Sequence, residues 1–226
     1  MTRMMTALSV ALALTACHAQ PEPAALVLHF DGALVADSGA APTVAEGVTF
    51  ADGKEGQGAK IEGKAKLAYA APAFLTQGFE IEFWVKHEQS LDDLLFQELV
   101  YVCHETENQR NRICLQKRMA TKQLLFSMSD GKGSAKGHVF SGDWFAIISP
   151  PLDWAAGTWH RIKVRADRAA GQAALSIDGK EVASAKGTEM PDEVGSQVWI
   201  GSLAGRSQMR SVMDDLSIRP LGEVQQ

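Results

Sequence analysis

Trp159-His160, then Ser176-Ile177-Asp178-Gly179-Lys180, then Val198-Trp199-Ile200-Gly201, then Val212-Met213-Asp214-Asp215-Leu216-Ser217-Ile218 follow one another in the last third of the chain. Each is a β segment or a tight turn, at the spacing of a β-sandwich. Working upstream, Phe79–Lys86 alternates cleanly. Phe79, Ile81, Phe83 and Val85 share one face, and Glu80, Glu82, Trp84 and Lys86 share the other. That period of two marks a half-buried strand. Trp159–Ala166 behaves alike, with Ile162 and Val164 apolar and Trp159, Arg161, Lys163 and Arg165 opposite.

Further candidate strands are Ala25–Phe30, Leu99–His104, Arg112–Lys117, Leu124–Ser129, His138–Phe140, Ala173–Ile177, Gln197–Ile200 and Val212–Arg219. Residues 31–60 are rich in Gly, Ala and Asp and read as turn-dense. The only helical candidates are short, such as Ser90–Phe96. Many short strands with Gly-rich turns predict an all-β fold, a two-sheet antiparallel sandwich. At 226 residues one domain is expected, and 46% apolar content suffices for a sizeable core. The net charge of −5, without a basic stripe, argues against a nucleic-acid partner.

The C-terminal signatures, together with Phe79–Lys86, Leu28-His29-Phe30-Asp31-Gly32 and Gly56-Gln57-Gly58-Ala59, resemble the laminin-G-like branch of the concanavalin A-like lectin/glucanase superfamily. The resemblance covers about residues 25–220 and is weakest over 87–158. It implies a jelly-roll sandwich with one concave sheet, and carbohydrate as the ligand class. It also implies a structural Ca²⁺ between an early carboxylate and a last-strand Asp. Asp214 matches the latter; Asp31 is the nearer early carboxylate and Asp37 the weaker one. Turn capping by Asp214 is the competing reading. The same resemblance gives His160 a structural role.

No complete catalytic constellation stands in the chain. Laminarinase-like hydrolases of the superfamily carry Glu-x-Asp-x-x-Glu, whereas here Glu80-Ile81-Glu82 is followed by no third carboxylate. Gly201-Ser202-Leu203-Ala204-Gly205 has its serine misplaced for a nucleophile elbow, and no His pair has zinc-protease spacing. A binding domain is therefore expected; the alternatives are a protein-interaction or scaffold module of the cell envelope, or a polysaccharide-cleaving hydrolase or lyase. Candidate ligand residues are Trp84, Glu80, Glu82, Arg161, Lys163 and Arg165, an indole ringed by charged groups if both strands lie in the concave sheet. Burial of Trp84 under a loop is the rival placement.

The N-terminus reads as a targeting signal over residues 1–16. Arg3 supplies a positive start, and Met4–Ala16 is uncharged and too short to span a membrane. Leu14-Thr15-Ala16-Cys17 resembles a bacterial lipobox, which implies a lipid on Cys17 and cleavage before it. His18 rather than Asp after the cysteine favours the outer membrane in a Gram-negative source. Residues 17–24 comprise the lipidated Cys17 and a short linker over 18–24, about 25 Å at full extension, ahead of a domain over 25–220 and a tail over 221–226. Cys103 and Cys114 remain as a pair, and an exported protein is expected to bridge them.

Overall fold

The alternating segments fall where the period of two places them. The computed structural model describes residues 25–89, 91, 97–103, 111–118, 121–129, 144–186, 190–206 and 209–222. The leader with Cys17, the strand candidate His138–Phe140 and all of the helix candidate Ser90–Phe96 except Leu91 lie outside the described residues. No helix among the described residues is long and apolar enough to cross a membrane.

The strands in chain order are β1 (Leu26–Leu28), β2 (Val44–Glu46), β3 (Thr49–Asp52), β4 (Gln57–Ile61), β5 (Lys66–Ala70), β6 (Gly78–His87), β7 (Gln97–Cys103), β8 (Ile113–Lys117), β9 (Leu124–Ser129), β10 (Trp144–Ile148), β11 (Trp159–Asp167), β12 (Gln172–Ile177), β13 (Lys180–Lys186), β14 (Gln197–Ile200) and β15 (Ser211–Pro220). They form two antiparallel sheets. Sheet 1 runs β13-β12-β11-β6-β15-β4-β3, with β1 also paired to β15. Sheet 2 runs β10-β9-β8-β7-β14-β5-β2. This is the expected concanavalin A-like jelly-roll sandwich.

Burial explains the arrangement. Phe79, Ile81, Phe83 and Val85 of β6 and Ile162 and Val164 of β11 are fully buried on the inner face of sheet 1. Val102, Phe126, Met128, Val198 and Ile200 are equally buried in sheet 2. The Phe79 and Phe126 rings meet edge-to-face with centroids 6.3 Å apart. Each such side chain contributes about 1.5–3 kcal/mol by leaving water. A one-residue slip of β6 would turn that whole apolar set outward, so its register is firmly set.

Four expectations change. Residues 31–60, read as turns, contain β2, β3 and β4. These strands are poor in β-branched residues, so local propensity hides them. Their pairing supplies what propensity lacks: a Cβ on Gly58 would lie 2.7 Å from Val212 Cγ1 and 2.9 Å from the Met213 carbonyl. Only a bare backbone lets β4 lie that close to β15. β5, β10 and β13 were also not anticipated. The last is a largely exposed edge strand carrying Lys180 and Lys186 at its ends, charges that discourage further strand pairing. The Asp178-Gly179 hairpin joining β12 to β13 has positive φ at both residues, 51° and 79°, the geometry of the two-residue turn that matches strand twist.

Candidate functional site

Strand alternation sends Trp84, Glu82 and Glu80 of β6 to the outer face of sheet 1. Pairing to both neighbours builds three rows across it. Arg161 faces Trp84, which faces Asp214; Lys163 faces Glu82, which faces Ser217; Arg165 faces Glu80, which faces Arg219. Four of the six expected ligand residues are tied together directly. Arg161 Nε lies 2.7 Å from Glu82 Oε1, and Lys163 Nζ lies 3.0 Å from Glu80 Oε1 and 3.5 Å from Glu82 Oε1. Trp84 sits beside them in the Arg161 row. Arg165 instead turns along its own strand to Asp167 at 3.7 Å. Exposed pairs of this kind add only about 0–1 kcal/mol each to stability. Their effect here is to hold charged groups in a fixed pattern around an indole.

Trp84 is half-buried, so its ring is neither core nor free. The Lys54 ammonium stands 4.8 Å from the ring centroid, a contact of about 0.5–1 kcal/mol at an exposed site. A second tryptophan lies on the same face: Trp159 opposes Lys86, whose Nζ is 4.9 Å from its ring and 3.0 Å from the Asp52 carbonyl. Alternation of β11 already placed Trp159 with Arg161. The Lys54 contact comes from the turn between β3 and β4, which no local pattern joins to β6.

A bulge in β15 shapes the far wall. Asp214 opposes Trp84, but the next pair is Ser217 with Glu82, so β15 carries one extra residue. Asp215 there has φ of 47°. The bulge sends two consecutive acids to different partners. Asp215 Oδ1 meets His29 Nδ1 at 2.8 Å, while His29 Nε2 is 3.2 Å from Asp37 Oδ2. The hydrogen bond to Asp215 holds His29 above the usual histidine range, with Asp37 adding to it and burial opposing. Asp214 is buried, at 1% exposure. Its Oδ2 accepts the Lys54 and Glu55 amides at 2.7 and 3.2 Å, and its Oδ1 accepts the Asp215 amide at 2.9 Å. Desolvation pushes its carboxyl above the usual range, partly offset by these three amides.

The two expected metal ligands therefore hold the same turn. Asp31 Oδ1 accepts the Gln57 amide at 2.9 Å, three residues from the amide that Asp214 holds. The donor set fits a cation poorly here: amide hydrogens already point at both Asp214 oxygens and at Asp31 Oδ1, whereas Ca²⁺ takes six to eight oxygens. Among the described residues no group of three His, Cys, Asp or Glu could hold a metal ion. Asp37 is drawn to His29 instead.

Together these elements leave a cleft of about 290 Å³ lined by Trp84, Glu82, Arg161, His29, Asp215, Ser217 and Arg219. That is close to the lower end of small-molecule sites, about 300 Å³. Trp84, Glu82 and Arg161 were foreseen; Glu80, Lys163 and Arg165 continue the rows beyond the cleft. His29, Asp215, Ser217 and Arg219 were missed. The parity of β15 marks Ser217 and Arg219 as outward-facing, but the bulge that aims Asp215 has no sequence signal.

Two other expectations lie away from the cleft. His160 is structural: its Nδ1 is 2.8 Å from Asp178 Oδ2, and its ring stacks on Trp154 at 4.1 Å with a 7° tilt. Cys114 is buried, with its Sγ 3.4 Å from Gln116 Oε1; the Cys103 side chain, and with it the expected bridge, lies outside the described residues. In register Cys114 opposes Tyr101, which puts Cys103 a diagonal step along the neighbouring strand. We propose the bridge as the sequence predicts it: after unfolding without reductant neither thiol is expected to label, and two labelled cysteines would overturn it.

A laminin G-type family model, described as the concanavalin A-like lectin/glucanases superfamily, matches residues 55–221. The chain belongs to that superfamily. No curated protein matches it. Among solved structures it is similar to the botulinum neurotoxin serotype G binding domain (15% identity, TM-score 0.61, 87% of this chain and 48% of that one). It is also similar to the binding domain of Paraclostridial mosquitocidal protein 1 (15%, 0.64, 87% and 48%). Domain 4 of an extracellular GH43 arabinanase from Geobacillus stearothermophilus, in complex with arabinotriose, is similar too (17%, 0.58, 88% and 93%). The chain spans about half the length of the toxin domains. At these identities the likeness is one of fold.

Proposed function

We propose that this domain binds carbohydrate in the cleft on the outer face of sheet 1, without cleaving it. The observation that carries the reading is the half-buried Trp84 held beside fixed, paired charges. An indole offers its face to the C–H side of a sugar ring, while Arg161, Glu82 and Ser217 supply donors and acceptors for its hydroxyls. The solved arabinanase domain, whose fold this chain shares, is in complex with arabinotriose, which supports the ligand class. Against hydrolysis, both candidate acids are already committed to cations: Glu82 to Arg161 and Lys163, Glu80 to Lys163. Screening the protein against immobilised glycans tests the reading, with at least one class expected to bind and no reducing ends expected to be released.

The leader adds a location to this proposal. Anchored through a lipid on Cys17, with a linker of about 25 Å, the domain would meet its ligand close to the bacterial envelope, at the outer membrane in a Gram-negative source. Cys17→Ala is expected to move the protein from the membrane to the soluble fraction. Unchanged membrane fractionation of the variant would overturn the anchor.

A further inference from the structure

The outer face of sheet 1 holds more cationic groups than its own acids can use. In the three central rows the side chains Arg161, Lys163, Arg165 and Arg219 face outward with Glu80 and Glu82. Lys163 spans both glutamates, Arg161 takes Glu82, and Arg165 leans to Asp167. On the β15 side, Asp215 is taken by His29. Arg219 opposes Glu80 in register, yet Glu80 is drawn the other way, to Lys163. Arg219 is exposed, lines the cleft and makes no side-chain hydrogen bond or ion pair among the described residues. Both acids lining the cleft, Glu82 and Asp215, are thus paired, and among the described residues the Arg219 guanidinium has no acid of its own.

We propose that the cleft selects glycans carrying a carboxylate, and that Arg219 is the residue that reads it. This rests on the carbohydrate reading above. A guanidinium presents two parallel N–H donors that match the two oxygens of a carboxylate, a fork that a hydroxyl cannot fill. Trp84 on the row beyond Glu82 supplies the ring contact, so a sugar acid lying across β6 and β15 would place its ring on the indole and its carboxylate at Arg219. The paired state of Glu82 and Asp215 lowers the repulsion that two bare acids would bring to such a ligand.

The test uses the protein with oligogalacturonates and sialylated oligosaccharides, each beside its carboxyl-reduced form, and with sulfated oligosaccharides. Acid forms are expected to bind at least tenfold more tightly than reduced forms. Arg219→Gln should bring the acid forms down to the level of the reduced forms, which should lose far less. Arg219→Lys, which keeps the charge and loses the fork, should fall between. Arg219 is exposed, so the variants should melt with the parent. Equal binding of acid and reduced forms, or equal loss of both in Arg219→Gln, would overturn the carboxylate proposal while leaving carbohydrate binding intact. Preference for sulfated over carboxylated ligands would overturn it as well. Failure of every glycan to bind would overturn the carbohydrate reading and this inference with it.

Discussion

Asp214→Ala is expected to lower the melting temperature by about 6–12 °C. The carboxylate is buried and accepts three backbone amides, from Lys54, Glu55 and Asp215. Leaving partly buried amides without an acceptor costs about 1–3 kcal/mol each, less where water reaches them. A net loss of about 3 kcal/mol corresponds to this shift in a domain of this size. The turn it releases carries Lys54, so the Trp84 contact should weaken too. Chelator should change the melt of neither parent nor variant, because the oxygens are engaged by amides rather than by an ion. A chelator-sensitive parent and an insensitive variant would instead place a cation on Asp214. The pH dependence has a defined sign. A carboxyl raised in the folded state contributes stability that is present below its unfolded value, near 3.9, and lost as pH rises through the folded value. Mild acid should therefore not weaken the fold through Asp214, and Asp214→Ala should lose less relative to the parent at neutral pH than the hydrogen bonds alone imply.

Trp84→Ala is expected to weaken binding of any glycan ligand about tenfold to a hundredfold. A central aromatic anchor is worth about 2 kcal/mol or more on truncation, and each 1.4 kcal/mol is a factor of ten. The fold should survive, because Trp84 is half-buried on the outer face while Phe79, Ile81, Phe83 and Val85 fill the inner one. A melt within a few degrees of the parent, combined with lost binding, assigns the effect to the cleft. Trp84→Phe keeps an aromatic face and should retain part of the affinity. Unchanged binding in Trp84→Ala would remove the cleft as the site.

How far the site was legible follows from the kind of signal each residue carries. Trp84, Glu80 and Glu82 were assigned to one face by alternation alone, and Arg161, Lys163 and Arg165 by the same rule on another strand. The pairing of β6 with β11 then joins them in the register that matches their charges. Asp214 was found by its place in the last strand, and of its two readings the turn capping is the one its hydrogen bonds display. A neighbouring turn brings amide hydrogens to its oxygens, and that contact joins residues more than 150 positions apart in sequence. Cys103 and Cys114 pair by count alone, and counting carries no information about which residues oppose: in register Cys114 faces Tyr101.

The sequence by itself determined the sandwich, the inner face of β6 and β11, and the outward placement of an indole among charges. These follow from a two-residue period that each strand carries within itself. The tertiary structure decided what had no local signature. The low-propensity strands β2 to β4 form because neighbours supply their hydrogen bonds. The bulge in β15 arises from one unmatched residue, which turns Asp214 under a turn and Asp215 toward His29. Arg219 makes no ion pair among the described residues, while Lys163, on a strand distant in sequence, takes Glu80. Competition between such partners is settled by distance in space, which no single strand encodes.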